Sequence, residues 1–313
     1  MIDFSEATKN TNKKILFCEA DKRVIQAAKQ LKAHGLQPVL VGDEKTYQEA
    51  AQDKEQLVGI PILPIKPARY AQEYYELRKH KNISEADAHE ALKDPALYSC
   101  MLLRAGEAHG LVAGATWPTA NTLRPALQTL KKGLASSYFV MQTNKGNYLF
   151  ADCAINIQPT NQELVQIAIN TAQAAQEMGV QPRVALLSFS TVGSASHKEQ
   201  EKVMQATTAL KHHRDEQGLE WAISGEYQVD AALNKEVAAR KASNEEIQGD
   251  ANILIFPDLD AGNIGYKLVQ QYSGAQAIGP VITGLTKPVN DLSRGASSQE
   301  IYELALITAW QSN

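Results

Sequence analysis

The sequence has no excess of positive charge and no long hydrophobic run, and each absence excludes a class of protein. Its 313 residues carry 31 Lys and Arg against 35 Asp and Glu, a net charge of −4. Without an overall basic field we expect no nucleic-acid partner, and a polyanionic ligand would need a local cluster of basic side chains. No apolar run approaches the ~20 residues of a membrane-spanning helix, so no membrane association is expected.

Cysteines are also few, and metal motifs are missing. Cys18, Cys100 and Cys153 are far apart and odd in number, which favours a reduced intracellular protein over a disulfide framework. The amino terminus has no apolar core like that of a signal peptide, so a cytoplasmic location is expected. The seven histidines show no HExxH or similar spacing, and no metal is predicted.

Two nucleotide-binding signatures are absent. The sequence contains no GxxxxGK[ST] segment, which argues against a P-loop nucleotidase. No GxGxxG follows the first predicted strand, so the dinucleotide fingerprint is missing as well.

The pattern that is present alternates short apolar runs with helical periodicity. Residues 14–18 predict a strand, 24–31 a helix that Gly35 ends, and 38–42 a second strand, which together form a right-handed βαβ unit. Further strands are predicted at residues 62–65, 111–115, 138–141, 148–152, 183–187, 221–224 and 253–256. Further helices are predicted at 70–81, 84–93, 160–178 and 298–310, and the chain is predicted to loosen at 133–137. The fold class is therefore α/β.

Polar segments follow several of these strands. They are residues 114–124, 188–197, 257–267 and 288–295, the last interpreted as a loop. Because ligands bind at the carboxyl ends of strands in open α/β sheets, these segments predict a site, although ordinary polar loops would look the same.

Two of the polar features suit phosphate. Residues 188–197 hold five hydroxyls and a glycine before a helix that a Ser196–Glu199 capping box is predicted to start, and such a segment favours an oxyanion. A Ser-rich loop with a plain cap is the alternative. The basic helix end at residues 78–81 either receives phosphates or complements its own helix dipole.

Taken together, these segments resemble the phosphate acetyltransferase (phosphotransacetylase) family. The resemblance covers nearly the whole chain and lies in AGATWPTANTLRPALQ, LLSFSTVGSASH, FPDLDAGNIGYK and KPVNDLSRGAS, with support from ELRKHK and FADCAIN. Phosphate butyryltransferases share the architecture but resemble this chain less in those loops.

The resemblance implies two three-layer α/β domains with an active-site cleft between them, as in isocitrate and isopropylmalate dehydrogenases, and a homodimer. Residues 1–135 with 292–313 would form the first domain and 136–291 the second. The implied enzyme is an acyltransferase of acetate metabolism that interconverts acetyl-CoA plus phosphate with acetyl phosphate plus coenzyme A (CoA). CoA is then a substrate, and no tightly bound cofactor is expected.

The resemblance also implies roles for individual residues. Arg294 would hold the departing phosphate, Ser293 is its neighbour in the active loop, and Glu300 stands where relatives have an Asp base. The acyl phosphate would be bound by Ser190, Thr191, Ser194, Asn263, Tyr266 and Lys267. Arg78 and Arg124 match arginines used for CoA or phosphate, and Cys153 is interpreted as a packed thiol rather than a nucleophile.

Three alternatives remain open from the sequence. The acyl group could be propionyl or butyryl, because sequence does not show pocket size. A non-catalytic regulatory domain that binds acetyl-CoA is disfavoured by the retained Ser293–Arg294 pair. A metal-dependent decarboxylating dehydrogenase would need a carboxylate cluster that these loops do not show.

Overall fold

The structure is a computed structural model that describes residues 3–51 and 53–312, and the chain divides into two compact units. The terminal unit comprises Asp3–Ala135 and residues 284–312, and the central unit comprises Ser136–Thr283. Strands and helices alternate through both units, which confirms the predicted α/β class.

The elements have the following bounds. The strands are β1 (Lys14–Phe17), β2 (Gln37–Val41), β3 (Ile62–Leu63), β4 (Gly110–Ala113), β5 (Lys131–Thr143), β6 (Gly146–Ala151), β7 (Arg183–Leu187), β8 (Ala222–Tyr227), β9 (Ile253–Ile255), β10 (Gln276–Leu285) and β11 (Val289–Asp291). The helices are α1 (Phe4–Thr8), α2 (Lys22–His34), α3 (Glu44–Ala50), α4 (Ala71–Arg78), α5 (Glu85–Ala91), α6 (Pro95–Arg104), α7 (Thr119–Thr129), α8 (Asn161–Glu177), α9 (Lys198–Gln217), α10 (Val229–Leu233), α11 (Lys235–Lys241), α12 (Leu259–Ser273) and α13 (Ser298–Gln311).

The sheet of the terminal unit is parallel in each strand pair and is covered on both faces. Its order among the described residues is β11-β4-β1-β2-β3. Leu16, Val39 and Leu111 pack with α6 residues in one core cluster. The alternating residues Ile15 and Val112 are also buried, and α2 and α13 pack on the sheet. Burial on both faces explains why the strands consist of continuous apolar runs.

The sheet of the central unit is mixed. Its order is β10-β5-β6-β9-β7-β8 among the described residues, with β5 antiparallel to β6 and β6, β9, β7 and β8 mutually parallel. The carboxyl ends of these four strands therefore lie on one edge of the sheet. Helices α8 and α9 pack against each other, and α8 starts at a Thr160–Glu163 capping box.

Three local predictions are wrong. The segment 133–137, predicted to loosen, lies within β5, because its small residues do not prevent strand pairing. Residues 289–291, predicted as loop, form β11 beside β4, a strand too short to show a period. The predicted Ser196 cap is instead His197, whose Nδ1 accepts from the amide of Glu199 at 3.2 Å.

The described cysteines, Cys18, Cys100 and Cys153, are free thiols and buried. In the ranges 3–51 and 53–312, none of the helices has the length and apolar character needed to cross a bilayer.

Candidate active site

Glu19 fills the turn that follows β4 in the terminal unit. Its Oε2 accepts from the amides of Gly114 and Ala115 at 2.5 and 2.9 Å, and its Oε1 accepts from the amide and hydroxyl of Thr116, both at 2.6 Å. The side chain is buried. The strand order reverses between β1 and β4, and a ligand crevice is expected at such a point. Here the carboxylate of Glu19 occupies the amide donors that a bound anion would otherwise use.

Asp291 lies at the carboxyl end of β11, two residues before Ser293. It is 1% exposed, and its Oδ1 has no hydrogen-bond partner within the described part of the chain. Burial raises the pKa of Asp291 to about 6, and the negative charge of Glu19 adds to this, while the hydroxyls of Thr119 and Thr122 act in the opposite direction. Sequence reasoning missed this residue, because burial is not visible in an isolated Asn-Asp pair.

Gly114 allows β4 and β11 to exit side by side. Its φ is +103°, and a Cβ there would lie 2.2 Å from Asp291 Oδ1 and 2.9 Å from the amide of Leu292. Both the backbone conformation and the space therefore require glycine.

Arg23, at the start of α2, binds the loop that carries Ser293 and Arg294. Its Nη1 donates to the carbonyls of Arg294 and Ala296 at 2.9 and 2.8 Å, and its Nη2 donates to the carbonyl of Ala115 at 2.9 Å. Arg23 Nε and Nη2 also donate to the two carboxylate oxygens of Asp21, each at 3.0 Å. Burial alone would raise the pKa of Asp21, but the bonds from Arg23 hold it below its ordinary value. We call these contacts the Arg23 clamp.

The loop held by the Arg23 clamp is buried at its ends and exposed at its tip. Leu292 and Ala296 are buried, whereas Ser293, Arg294 and Gly295 are exposed. The clamp uses main-chain carbonyls, so the Arg294 side chain remains available for an anion.

Glu300 lies in the first turn of α13 and caps it. Its Oε2 accepts from the amide and hydroxyl of Ser297 at 2.7 and 2.9 Å, and the hydroxyl of Ser297 accepts from the amide of Glu300 at 3.2 Å. This reciprocal pair is a capping box. A catalytic role for Glu300 would have to coexist with this structural one.

Arg78 and Arg124 lie on neighbouring helices of the terminal unit. Arg78 ends α4 and lies beside Tyr74, whose hydroxyl donates to Gln128 on α7 at 3.0 Å. Arg124 is exposed on α7, one turn before Gln128. Neither arginine forms a salt bridge with residues 3–51 or 53–312. Arg78 and Arg124 are therefore candidates for the local cationic cluster that the net charge does not supply.

In the central unit, Glu226 organises the loop after β7. It is buried, and its Oε1 accepts from the hydroxyl of Ser190 at 2.9 Å and from the amide of Gly193 at 2.8 Å. Ser190 is fully buried, and its hydroxyl also accepts from the amide of Ala195 at 3.1 Å. Sequence reasoning missed Glu226, because it lies beyond the predicted strand 221–224 although it is inside β8.

The other two nominated hydroxyls of this loop differ in exposure. Thr191 is buried, and its hydroxyl accepts from the amide of Gln228 at 3.0 Å. Ser194 is exposed, and its Oγ accepts from the amide of Thr191 at 3.0 Å. Of the three hydroxyls nominated here, Ser194 is the one on an exposed residue.

Asn263, Tyr266 and Lys267 form one cluster on the first turns of α12. Lys267 Nζ donates to Asn263 Oδ1 at 2.7 Å, and Asn263 Nδ2 donates to the carbonyl of Cys153 at 3.1 Å. The ring of Tyr266 stacks on Phe139 with centroids 4.1 Å apart, and burial raises the pKa of Tyr266 to about 12. Lys267 is thereby placed at the carboxyl edge of the central sheet.

Asp152, a further residue that sequence reasoning missed, shapes the exit of β6. Its carboxylate accepts from the amides of Ala154, Ile155 and Asn156 at 3.0, 3.2 and 3.0 Å, and from the hydroxyl of Ser137. Burial and the adjacent carboxylate raise the pKa of Cys153 well above its ordinary value. A thiol with a raised pKa is a poor nucleophile, in keeping with a packed role.

Within residues 3–51 and 53–312, no group of three or more His, Cys, Asp or Glu side chains is arranged to hold a metal ion.

The chain is similar to known proteins over nearly its full length. Residues 2–309 match a family described as phosphate acetyl/butaryl transferase. A phosphate acetyltransferase of Clostridium acetobutylicum is 42% identical, over 98% of this chain and 96% of the relative. Two solved phosphotransacetylases have a TM-score of 0.89: one from Staphylococcus aureus, 41% identical over 99% of this chain and 97% of that one, and one from Streptococcus pyogenes, 40% identical over 99% and 96%.

Replacing Asp291 by Asn should change how stability depends on pH. A raised carboxyl pKa means that the folded state binds the proton more tightly than the unfolded chain, so the wild type loses stability as pH rises from about 4 through about 6. The Asn variant has no carboxyl group at this position, so it does not show this loss of stability with rising pH. Between about pH 5 and pH 7.5, the free energy of unfolding should shift in favour of the variant by about 1 kcal/mol, measured by urea titration. Parallel pH dependence of the two proteins would contradict the assigned pKa.

Proposed function

The chain belongs to the phosphate acetyl/butaryl transferase family, and we propose that it is a phosphate acetyltransferase. The reaction is the reversible transfer of an acetyl group between acetyl phosphate and CoA. The proposal is supported by the full-length similarity to phosphate acetyltransferases and phosphotransacetylases.

The observation that carries the proposal is the loop tip held by the Arg23 clamp. A guanidinium binds two phosphate oxygens at once, and it does so best when its backbone is fixed. The clamp fixes the carbonyls on both sides of Gly295 while the side chains of Ser293 and Arg294 stay exposed. This loop lies in the KPVNDLSRGAS segment that carried the resemblance.

In the proposed mechanism, CoA attacks acetyl phosphate directly. The sulfur forms a bond to the carbonyl carbon, the carbon–oxygen bond to phosphate breaks, and phosphate leaves with that bonding pair. The thiol proton goes to Glu300, because a free thiol is mostly protonated at neutral pH. Arg294 neutralises the charge that develops on the departing phosphate.

We assign the remaining nominated residues to binding. Ser194, Asn263 and Lys267 contact the acyl phosphate, while Ser190, Thr191 and Tyr266 are positioning residues for them. Ser190 and Thr191 are buried with internal hydrogen bonds, and Tyr266 stacks on Phe139. Arg78 and Arg124 bind phosphate groups of CoA. CoA is a substrate here, and neither a resident cofactor nor a metal is part of the proposal.

Arg294→Ala should abolish most acetyl-CoA formation without unfolding the protein. Removing a group that stabilises transition-state charge typically costs about 100-fold or more in turnover. In the clamp, Arg23 donates to main-chain carbonyls of this loop, which are still present after the substitution. Acetyl-CoA is measured from acetyl phosphate and CoA, with propionyl and butyryl phosphate alongside to test the acyl preference.

The matched control for this experiment is Arg240→Ala, which removes an arginine whose side chain is 75% exposed on α11. It should retain wild-type turnover. Full activity of Arg294→Ala would remove that residue from the mechanism, and a wild type inactive with all three acyl phosphates would refute the proposed function.

Glu300→Gln and Glu300→Ala separate the proposed base from the helix cap. Glutamine can replace glutamate in a capping box, so Glu300→Gln should unfold like the wild type while kcat falls steeply. Glu300→Ala should lose kcat and, in addition, about 1 kcal/mol of stability. A Gln variant with unchanged kcat and pH–rate profile would assign the proton acceptor to another group.

We also propose that the protein works as a homodimer in the cytoplasm, in acetate metabolism. Ile264, Leu268 and Tyr272 recur every four residues on α12 and are 57, 51 and 88% exposed. Such an apolar stripe suits pairing of α12 with its counterpart across a two-fold axis. Free, buried cysteines suit a reducing compartment.

Light scattering should give twice the 34.2 kDa chain mass for the wild type. Leu268→Asp, at the middle of the stripe, should give the monomer mass, because a buried unpaired charge disfavours the interface. Met204→Asp places the same charge on an exposed apolar position of α9 and should stay dimeric. A dimeric Leu268→Asp protein would exclude this stripe as the interface.

A further inference from the structure

The terminal unit contains a hollow at the amino edge of its parallel sheet. The hollow opens beside Lys14 and Ile62, the first residues of β1 and β3. The loop that carries Ser293 and Arg294 follows the carboxyl end of β11 and so lies at the other edge of the sheet. The volume of the hollow is about 220 Å³, the space that about seven water molecules occupy in the liquid. None of its lining residues has a role in the proposed acetyl transfer.

The walls of the hollow are apolar because the strand register puts aliphatic side chains on one face of the sheet. Leu16 of β1 is in register with Val39 of β2, and Leu63 of β3 is in register with Val41, two residues further along β2. Leu102 of α6 belongs to the same core cluster and also lines the hollow. A hydrocarbon chain that enters here therefore contacts apolar carbon from both the sheet and the helix.

Three lysines supply positive charge at this edge, and we call Lys13, Lys14 and Lys287 the lysine rim. Partial burial lowers the pKa of His109, and the positive charges of Lys13, Lys287 and Lys14 lower it further. The amide of Lys14 donates to His109 Nδ1 at 2.9 Å, which fixes the imidazole beside β1. Within residues 3–51 and 53–312, Lys14 and Lys287 take part in no salt bridge. The charge of these two side chains is therefore available to an anion.

The acidic residue of the lining, Glu107, is already paired. Its Oε1 accepts from Arg69 Nη2 at 2.7 Å and from the hydroxyl of Tyr70. The guanidinium of Arg69 also lies over the ring of Tyr70, 5.2 Å from its centroid. Because Arg69 offsets the negative charge of Glu107, the charge of Lys14 determines which ligand group suits the mouth of the hollow.

We propose that this hollow binds an aliphatic monocarboxylate of about six carbons, with its chain against the apolar walls and its carboxylate beside Lys14. The apolar walls favour a hydrocarbon chain over a sugar, whose hydroxyls would lose their hydrogen bonds to water there. The lysine rim favours an anionic group over a neutral or cationic one. The proposal is independent of the proposed function, because the two share no residue.

The test measures the dissociation constant of hexanoate by isothermal titration calorimetry in the wild type and three variants. Lys14→Gln removes the cation and should weaken binding about fivefold. Leu63→Phe narrows the hollow and should weaken binding about fivefold or more. The matched control Lys145→Gln removes an exposed lysine from the turn between β5 and β6 and should bind like the wild type. Urea unfolding verifies that each variant is folded.

Related ligands test the chain and the carboxylate separately. Butyrate should bind about tenfold more weakly than hexanoate, because it buries two fewer methylene groups. Hexanol should bind about fivefold more weakly, because it has no charge to interact with Lys14. Bound hexanoate should also raise the pKa of His109, followed by NMR, since its carboxylate adds negative charge beside the lysine rim.

Competition separates this hollow from the substrate site. Saturating CoA or inorganic phosphate should leave the affinity for hexanoate unchanged, and displacement by either would overturn the proposal. Equal affinity for hexanol, full affinity in both Lys14→Gln and Leu63→Phe, or no binding of millimolar hexanoate to the wild type would also overturn it. A wild type that binds hexanoate in a Lys14-dependent manner but transfers no acyl group would refute the proposed function and leave this site standing.

Discussion

In both units, buried carboxylates accept hydrogen bonds from main-chain amides and thereby hold the loops that follow the strands. Glu19 binds the turn after β4, Asp152 the segment after β6, and Glu226 the loop after β7. A buried carboxylate is costly unless its oxygens are paired, and amide and hydroxyl donors satisfy that requirement while fixing the loop. The conformation of each loop thus depends on one side chain. That side chain lies at the end of an adjacent strand or at the end of the strand that leads into the loop.

This arrangement changes which groups can meet a ligand. In the terminal unit, amides after β4 bind Glu19, and in the central unit the hydroxyl of Ser190 donates to Glu226. The groups that remain exposed include loop side chains such as Arg294 and Ser194 and the helical side chain Lys267. Internal anions therefore preorganise the loops, and the proposed chemistry falls to the side chains that they present.

Within the terminal unit, charged side chains of both signs stabilise the loop that carries Ser293 and Arg294 and the helix that follows it. Arg23 donates to main-chain carbonyls of the loop, so the Arg294 side chain is not needed to hold the loop in place. Asp291, buried beneath the same loop, has a pKa raised to about 6. Glu300 stabilises the start of α13 through Ser297. A substitution at any of these positions has a structural effect as well as a chemical one, which is why matched variants such as Gln and Ala at Glu300 are informative.

The sequence by itself determined the α/β class, most strand positions, the helices α2, α4, α5, α8 and α13, and the segments that carry the family resemblance. Apolar runs, glycine stops and capping boxes are local signals. It also nominated Ser293 and Arg294, which the structure brings to an exposed loop tip. The tertiary structure alone decided that Glu19, Asp152 and Glu226 lie buried against backbone amides, and that residues 289–291 pair with β4. The contacts of Glu19 and Glu226 and the pairing of β4 with β11 join residues far apart in the chain, up to about 180 positions for the two strands. The amide partners of Asp152 are local, but its burial, like that of the other two carboxylates, is a property of packing that no local pattern records.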